Sequence, residues 1–303
     1  MNKIVKTKIA FTLIELLVVI AIIGVLSALI VVGMSSTTQK ATIAKAQVFS
    51  NSLRNSLMSN LISEWKFDQV NVPAANQTPD SWSGGNTGTL NGSGGSQNLP
   101  QLVTSGCPSG NCLSFDGTDD YVDCGNGTNL NLTDSITLSA WAKYNVRKNY
   151  QAVVGKGSPY WIFQRDTLDG FYFRLFDVDS GFSYAYGTGT LSAERWVYLV
   201  ATWTKGDYLR LYYDGVLAGT SVAVLNKSLS TTAVTVKIGN NLNGDYFNGL
   251  IDEVRIFNAA MPTSQIQQNY FSGINKLFAK NQITQSDYQQ RLTDLLVNNC
   301  ARE

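Results

Sequence analysis

One carboxylate, Glu15, interrupts an apolar run that extends from Phe11 to Val32. An acidic side chain at the centre of a membrane helix costs roughly 2.5–3.5 kcal/mol, and less near an end, so such a group is kept where a cation can meet it. Glu15 therefore predicts a cation as its partner. The other groups capable of acid–base chemistry are scattered. Glu64, Glu194, Glu253 and Glu303 stand apart, and Asp119-Asp120 falls in a turn. Glycoside hydrolysis requires two carboxylates across a cleft, and strand neighbours such as Asp252 and Glu253 are expected to point to opposite faces. The sequence contains no histidine, which removes Ser-His-Asp catalysis and imidazole metal sites. The expectation is a protein that is not an enzyme.

The elements that must place these residues follow from periodicity. Lys3, Lys6 and Lys8 form a basic leader over residues 1–10. The apolar run behind it is long enough to span a bilayer. Its apolar face continues in amphipathic form through Ile43, Val48, Leu53, Leu57 and Leu61 at helical spacing. A helix over residues 11–62 would be roughly 75 Å long at about 1.5 Å per residue, with Gly24 and Gly33 as places where it can bend. From Glu64 to about Asn258 the texture is one of short β-prone runs divided by Gly, Asn, Asp and Ser, which predicts an all-β sandwich over residues 63–272. Asp80 to Gly106 reads as a long loop with little strand. Trp196 to Thr204 and Tyr208 to Tyr213 alternate, and Asp214-Gly215 supplies a two-residue hairpin turn. Thr263 to Phe271 and Thr284 to Val297 have helical spacing, which makes residues 273–303 a helical C-terminal segment.

At 303 residues the chain has room for one substantial domain besides the helix. The formal charge is +1, and loss of the three leader lysines makes it −2. Without a basic excess or stripe, nucleic acid is not an expected partner. The four cysteines are Cys107, Cys112, Cys124 and Cys300. In an exported chain they can pair, Cys107 with Cys112 around a small loop and Cys124 with Cys300; the alternative is four free thiols.

The basic leader and the segment Phe11-Thr12-Leu13-Ile14-Glu15 resemble the class III signal and first helix of type IV prepilins and type II secretion pseudopilins. That resemblance implies cleavage between Ala10 and Phe11 by a prepilin peptidase, which also methylates the new Phe11 amine. It implies that Glu15 of one subunit faces this amine on its neighbour. The family usually has Gly where Ala10 stands. The implied partners are copies of this chain, other pilins and an inner-membrane assembly platform. The implied location is a single pass through the cell membrane, then a pilus on the cell surface.

Trp65-Lys66-Phe67-Asp68, Asp80-Ser81-Trp82 through Asn86, and Leu113-Ser114-Phe115-Asp116-Gly117 resemble, in that order, a laminin-G-like (concanavalin A-like) jelly roll. Ile136 to Trp141, Trp196-Val197-Tyr198 and Ile251 to Phe257 continue it. Such domains often hold a structural calcium ion bound by oxygen ligands, and the resemblance gives Asp68, Asp80, Asn86 and Asp252 as candidates. The alternative is that Asp80 and Asn86 make turns while Asp252 pairs with Arg255. Glucanases share the architecture, but they carry a Glu-rich cluster on one strand that this chain lacks. Sugar recognition needs exposed rings, for which Tyr160, Trp161 and Tyr184 are candidates beside Tyr144, Tyr150 and Tyr186; the alternative places them in the core with Trp141, Trp196 and Trp203. The expected function is a structural pilus subunit displaying an adhesive, carbohydrate-binding domain. The alternatives are a type II secretion pseudopilin and a membrane-tethered glycan-binding protein.

Overall fold

Asp214-Gly215 turns the chain through a two-residue hairpin with both residues at positive φ, 51° and 82°, as the twist of the flanking strands requires. The hairpin joins β13 (Arg210–Tyr213) to β14 (Val216–Thr220) and begins the first of two antiparallel sheets. The computed structural model describes residues 58–69, 76–82, 85–93, 98–165, 170–189, 191–241 and 244–300. The leader, most of the expected 11–62 helix, and with them Ala10, Phe11 and Glu15, lie outside the described residues. Every described element belongs to the unit Arg54–Glu303.

The first sheet runs β14, β13, β12 (Val197–Thr204), β7 (Ser135–Tyr144), β16 (Asn248–Phe257), β5 (Cys112–Asp116) and β4 (Gln101–Val103), with β1 (Leu61–Trp65) also paired to β16. The second runs β11 (Phe182–Tyr186), β10 (Gly170–Phe176), β9 (Tyr160–Arg165), β8 (Gln151–Gly155), β15 (Lys237–Ile238), β6 (Tyr121–Asp123), β3 (Gly88–Asn91) and β2 (Gln77–Thr78). Alternation along each strand divides its side chains between two layers. On β7 and β12, Ile136, Leu138, Ala140, Leu199, Ala201 and Trp203 enter the core between the sheets. Trp141, Tyr198 and Val200 occupy the opposite face.

That opposite face is closed by two helices, α1 (Thr263–Ala279) and α2 (Gln285–Cys300). Ile266, Tyr270, Ile274 and Leu277 of α1 recur at helical spacing and are all fully buried, each contributing about 1.5–3 kcal/mol relative to exposure. Trp141 stacks on Tyr270 at 5.8 Å. Its ring lies so close to Gly273 that a Cβ there would sit 2.1 Å from it, which explains a glycine within the helix despite a cost of about 1 kcal/mol. Arg291 of α2, 3% exposed, donates to the Trp196 carbonyl at 3.1 Å and fixes this helix to the sheet.

Two boundaries differ from expectation. Leu61 opens β1, so the first sandwich strand overlaps the end of the expected 11–62 helix. Among its described residues Asp80 to Gly106 carries little strand, as expected: β3 and β4, four and three residues long. Helix α1 runs through residue 272, so the sandwich and the helical segment are not divided there.

Candidate binding face

Strands β9, β10 and β11 carry aromatic residues on both faces. Tyr160, Ile162, Phe171, Phe173, Leu175 and Ala185 face the other sheet. Trp161, Phe163 and Tyr172 form a separate outer cluster with Tyr150, Phe176 and Tyr186 at its margin. Register builds it into a ladder: Arg174 lies between Trp161 and Tyr184, Tyr172 between Phe163 and Tyr186, and Phe176 opposite Phe182. Ring centroids are 4.0 Å apart for Trp161 and Phe163, 5.2 Å for Phe163 and Tyr172, and 4.8 Å for Tyr172 and Tyr186. Such pairs contribute about 0.5–1.5 kcal/mol each beyond area burial. The Arg174 guanidinium carbon lies 5.1 Å from the Phe182 ring centre and 5.9 Å from that of Phe176, a favourable cation–π geometry. At the solvent end of the ladder, Phe182 is 58% and Tyr184 43% exposed.

The three expected ligand-binding rings separate accordingly. Tyr184 is at the exposed end. Trp161 belongs to the ladder but is nearly covered. Tyr160 is buried between the sheets, where its hydroxyl donates to the Leu130 carbonyl at 3.0 Å, so it is a core residue. Phe163, Tyr172 and Phe182 were not foreseen as members; a two-residue period is their only sequence signal, and rings on both faces obscure it.

The carboxylates expected to bind calcium serve as two backbone clamps. Asp80 accepts the N–H groups of Glu64 at 2.9 Å and Trp82 at 3.0 Å through Oδ1, and that of Asn86 at 3.1 Å through Oδ2. Asn86 Nδ2 donates to Ser63 Oγ at 2.7 Å, and its carbonyl accepts the Trp65 indole at 2.8 Å. Asp68 and Asp252 instead hold the loop closed by the Cys107–Cys112 disulfide. Asp68 accepts the Asn111 N–H at 2.9 Å, and Asp252 accepts the Ser109 N–H at 3.0 Å. The four residues thus make two sets of backbone contacts, and Asp68 and Asp80 share the wall of one cleft. A polar cleft of about 480 Å³ beside them is lined by Lys66 to Gln69 and Pro79 to Ser81.

Among the described residues, the acidic triad whose oxygens lie within 4.8 Å of one another is Asp116, Asp119 and Asp120. One oxygen of each accepts a backbone N–H: Asp116 that of Thr118 at 2.7 Å and Asp120 that of Asp116 at 2.9 Å within the turn, and Asp119 that of Ser93 from another loop at 3.0 Å, while Asp119 Oδ1 has no partner among the described residues. Burial, with the charges of Asp116 and Asp119, outweighs the Asp116 N–H and pushes the Asp120 carboxyl up to about 6. The folded state then holds its proton above the unfolded value, so stability falls as pH rises from about 4 to 6. Relative to Asp120→Asn, the wild-type protein should lose on the order of 1–2 kcal/mol across that window. Thermal melts at both pH values check this, and parallel profiles would refute it.

Asp252 and Glu253 depart from the expected opposite orientation. The β16–β7 register slips between Asp252 and Arg255, and Glu253 takes a φ of 52°, as a bulge does. Both carboxylates are buried. Burial and the Glu253 charge raise the Asp252 carboxyl well above the usual range. Burial presses the Glu253 carboxyl upward too, but Arg255, Lys276, Ser109 and Lys66 outweigh it and hold it low. Arg255 Nε also reaches Glu64 at 2.7 Å. These groups form an internal ion cluster closed to a polysaccharide. Cys124 is a free thiol in the core, so the expected Cys124–Cys300 pair is not formed.

Two packed antiparallel sheets, one sealed by helices and the other bearing an aromatic ladder, define a lectin-type jelly roll. Residues 116–267, half of the chain, match the concanavalin A-like lectin/glucanases superfamily, and the chain belongs to it. Residues 6–31 match the prokaryotic N-terminal methylation motif. No curated protein sequence matches. Among solved structures, the binding domain of Paraclostridial Mosquitocidal Protein 1 is similar at 14% identity and TM-score 0.56, over 72% of this chain and 53% of that one. The botulinum neurotoxin serotype G binding domain is similar at 13% identity and TM-score 0.53, over 70% and 51%. Domain 4 of an extracellular arabinanase from Geobacillus stearothermophilus, in complex with arabinotriose, is similar at 18% identity and TM-score 0.50, over 69% of this chain and 97% of that one. These likenesses show the fold. The chain spans about half the length of the toxin domains. Among the described residues no helix is long and apolar enough to cross a membrane.

Proposed function

We propose that this chain is a non-enzymatic subunit of a type IV pilus or related filament that carries its lectin-type domain to the cell surface. The observation that supports the reading most is the union, in one chain, of the N-terminal methylation motif with a domain whose free sheet face ends in exposed rings. In this reading a prepilin peptidase cuts between Ala10 and Phe11 in the membrane and methylates Phe11. An inner-membrane platform then extracts the helix into a bundle with its own copies and other pilins. The intact mass and first residue of the protein in sheared surface filaments test this. A chain starting at methylated Phe11 supports a displayed subunit. A processed chain confined to membranes favours a secretion pseudopilin, and an uncut chain a tethered binding protein.

The displayed ligand in this reading is a neutral glycan lying across Phe182 and Tyr184, since ring faces stack on the apolar faces of pyranoses. The arabinotriose complex of the similar arabinanase domain accords with a sugar ligand. Replacing both Phe182 and Tyr184 with alanine should weaken binding roughly tenfold or more and leave the melting temperature within about 2 °C, because both rings are exposed. A glycan array probed with residues 54–303, followed by titration of the best hit, measures this. Equal affinity of the double variant would remove the face from the proposal.

A further inference from the structure

Val222, Ala223 and Val224 are all exposed on a strap that follows β14 of the first sheet. Val222 is 96% exposed, and Tyr208, on the segment the strap is bonded to, is 40% exposed. The strap is pinned on both sides of these residues. Ser221 N–H donates to the Leu209 carbonyl at 2.9 Å; Ser221 Oγ accepts the Leu209 N–H at 3.0 Å and donates to the Ala223 carbonyl at 2.7 Å. On the other side, Leu225 N–H donates to the Asp207 carbonyl at 3.1 Å and its carbonyl accepts the Gly206 N–H at 2.9 Å. Leu209 and Leu225 are buried as anchors. The two valines between them are thereby held in water, where each forgoes roughly 25 cal/mol per Å² of apolar surface. Val178, 58% exposed, extends the same edge through its N–H bond to the Ser228 carbonyl at 3.1 Å.

Charge and size narrow the partner. The cations around the tip are each matched: Arg210 by Asp207 at 2.7 Å, Lys227 by Asp179 at 2.7 Å, and Lys205 by Asp134 at 3.5 Å. The tip is electrically neutral and gives no purchase to a strongly charged surface. A stable protein interface needs about 800 Å² on each partner, more than two valines, an alanine and a tyrosine ring provide. A bilayer sets no such minimum. It accepts a small convex apolar tip at the headgroup boundary in proportion to the area buried, and tyrosine suits that depth. We propose that the Val222–Val224 strap and Tyr208 form a lipid-contact tip that inserts into the surface of a neutral bilayer.

Residues 54–303 close their own interior through both sheets and both helices, so the test uses this unit and phosphatidylcholine vesicles in a flotation assay. Wild-type protein is expected to float with the vesicles, and equally at low and high salt. Val222→Asp combined with Val224→Asp should lower the bound fraction roughly tenfold or more without changing the melting temperature. Three results would overturn the proposal: no flotation of the wild type, flotation that needs anionic lipid, or equal flotation of the double variant. A fourth is self-association in sedimentation velocity that the double variant abolishes while flotation persists, which would make a second copy of the chain the occupant.

Discussion

Filaments sheared from cells that express Glu15→Ala should contain none of this protein, while the lectin-type domain of the full-length variant melts at the wild-type temperature. The effect is expected to be all-or-none because the carboxylate stands inside the apolar run from Phe11 to Val32, where it is costly without a cation. Under the proposed function that cation is the Phe11 amine of a neighbouring subunit. Removing the acid leaves the amine as the unmatched charge, so the bundle loses both its attraction and its register. Glu15→Gln keeps the shape and the hydrogen-bonding capacity but not the charge, and should assemble poorly. Immunoblots of sheared and membrane fractions make the measurement. Normal filament yield from Glu15→Ala would reject the assembly role outright.

Asp80→Ala should cost the lectin-type domain about 3 kcal/mol or more. Three partly buried backbone N–H groups, of Glu64, Trp82 and Asn86, lose their charged acceptor together; a hydrogen bond to a charged group contributes about 1.5–3 kcal/mol, and water from the adjacent cleft offsets part of the loss. At roughly 2–4 °C per kcal/mol for a domain of this size, the melting temperature should fall by roughly 10 °C. Asp80→Asn, which keeps one acceptor oxygen, should fall less. The same experiment separates a backbone clamp from an ion ligand. A chelator added to wild-type protein should leave the melting temperature where it is, whereas an ion held by Asp80 would make chelation reproduce the loss seen in the alanine variant.

Local patterns that repeat were legible from residues alone, and features set by partners distant in sequence were not. The Asp214-Gly215 turn was readable because positive φ at two successive residues has few sequence solutions, and the structure places it there. The alternation of β12 and β13 and the helical spacing of the two C-terminal helices were readable as local periods. Tyr160 was assigned to a binding surface because Tyr160-Trp161-Ile162-Phe163 is apolar at every position, so alternation cannot say which rings face inward. Asp252 and Glu253 were expected on opposite faces because a bulge is invisible to a period of two, and the disulfide loop that meets Asp252 there is 143 residues away. The candidate calcium ligands were expected on the first strand, the long loop and the last strand, and their carboxylates accept backbone N–H groups there. Which backbone donors would reach them first depended on contacts that no local pattern carries. The aromatic ladder was half visible, as an excess of rings between Tyr150 and Tyr186, without the register that stacks them.

The solitary thiol of Cys124 offers an internal clock for the domain. It is packed between the sheets, and burial raises its pKa well above that of an ordinary cysteine, so an alkylating reagent meets a reactive thiolate only when the sandwich opens. If closing outpaces alkylation, the labelling rate, divided by the rate for an exposed cysteine, returns the equilibrium constant for opening. Locating the label on the Cys124 peptide by mass keeps Cys300 out of the reading. The measurement needs no denaturant and no engineered probe, and under the proposed function it can be made on the displayed domain as readily as on the isolated one.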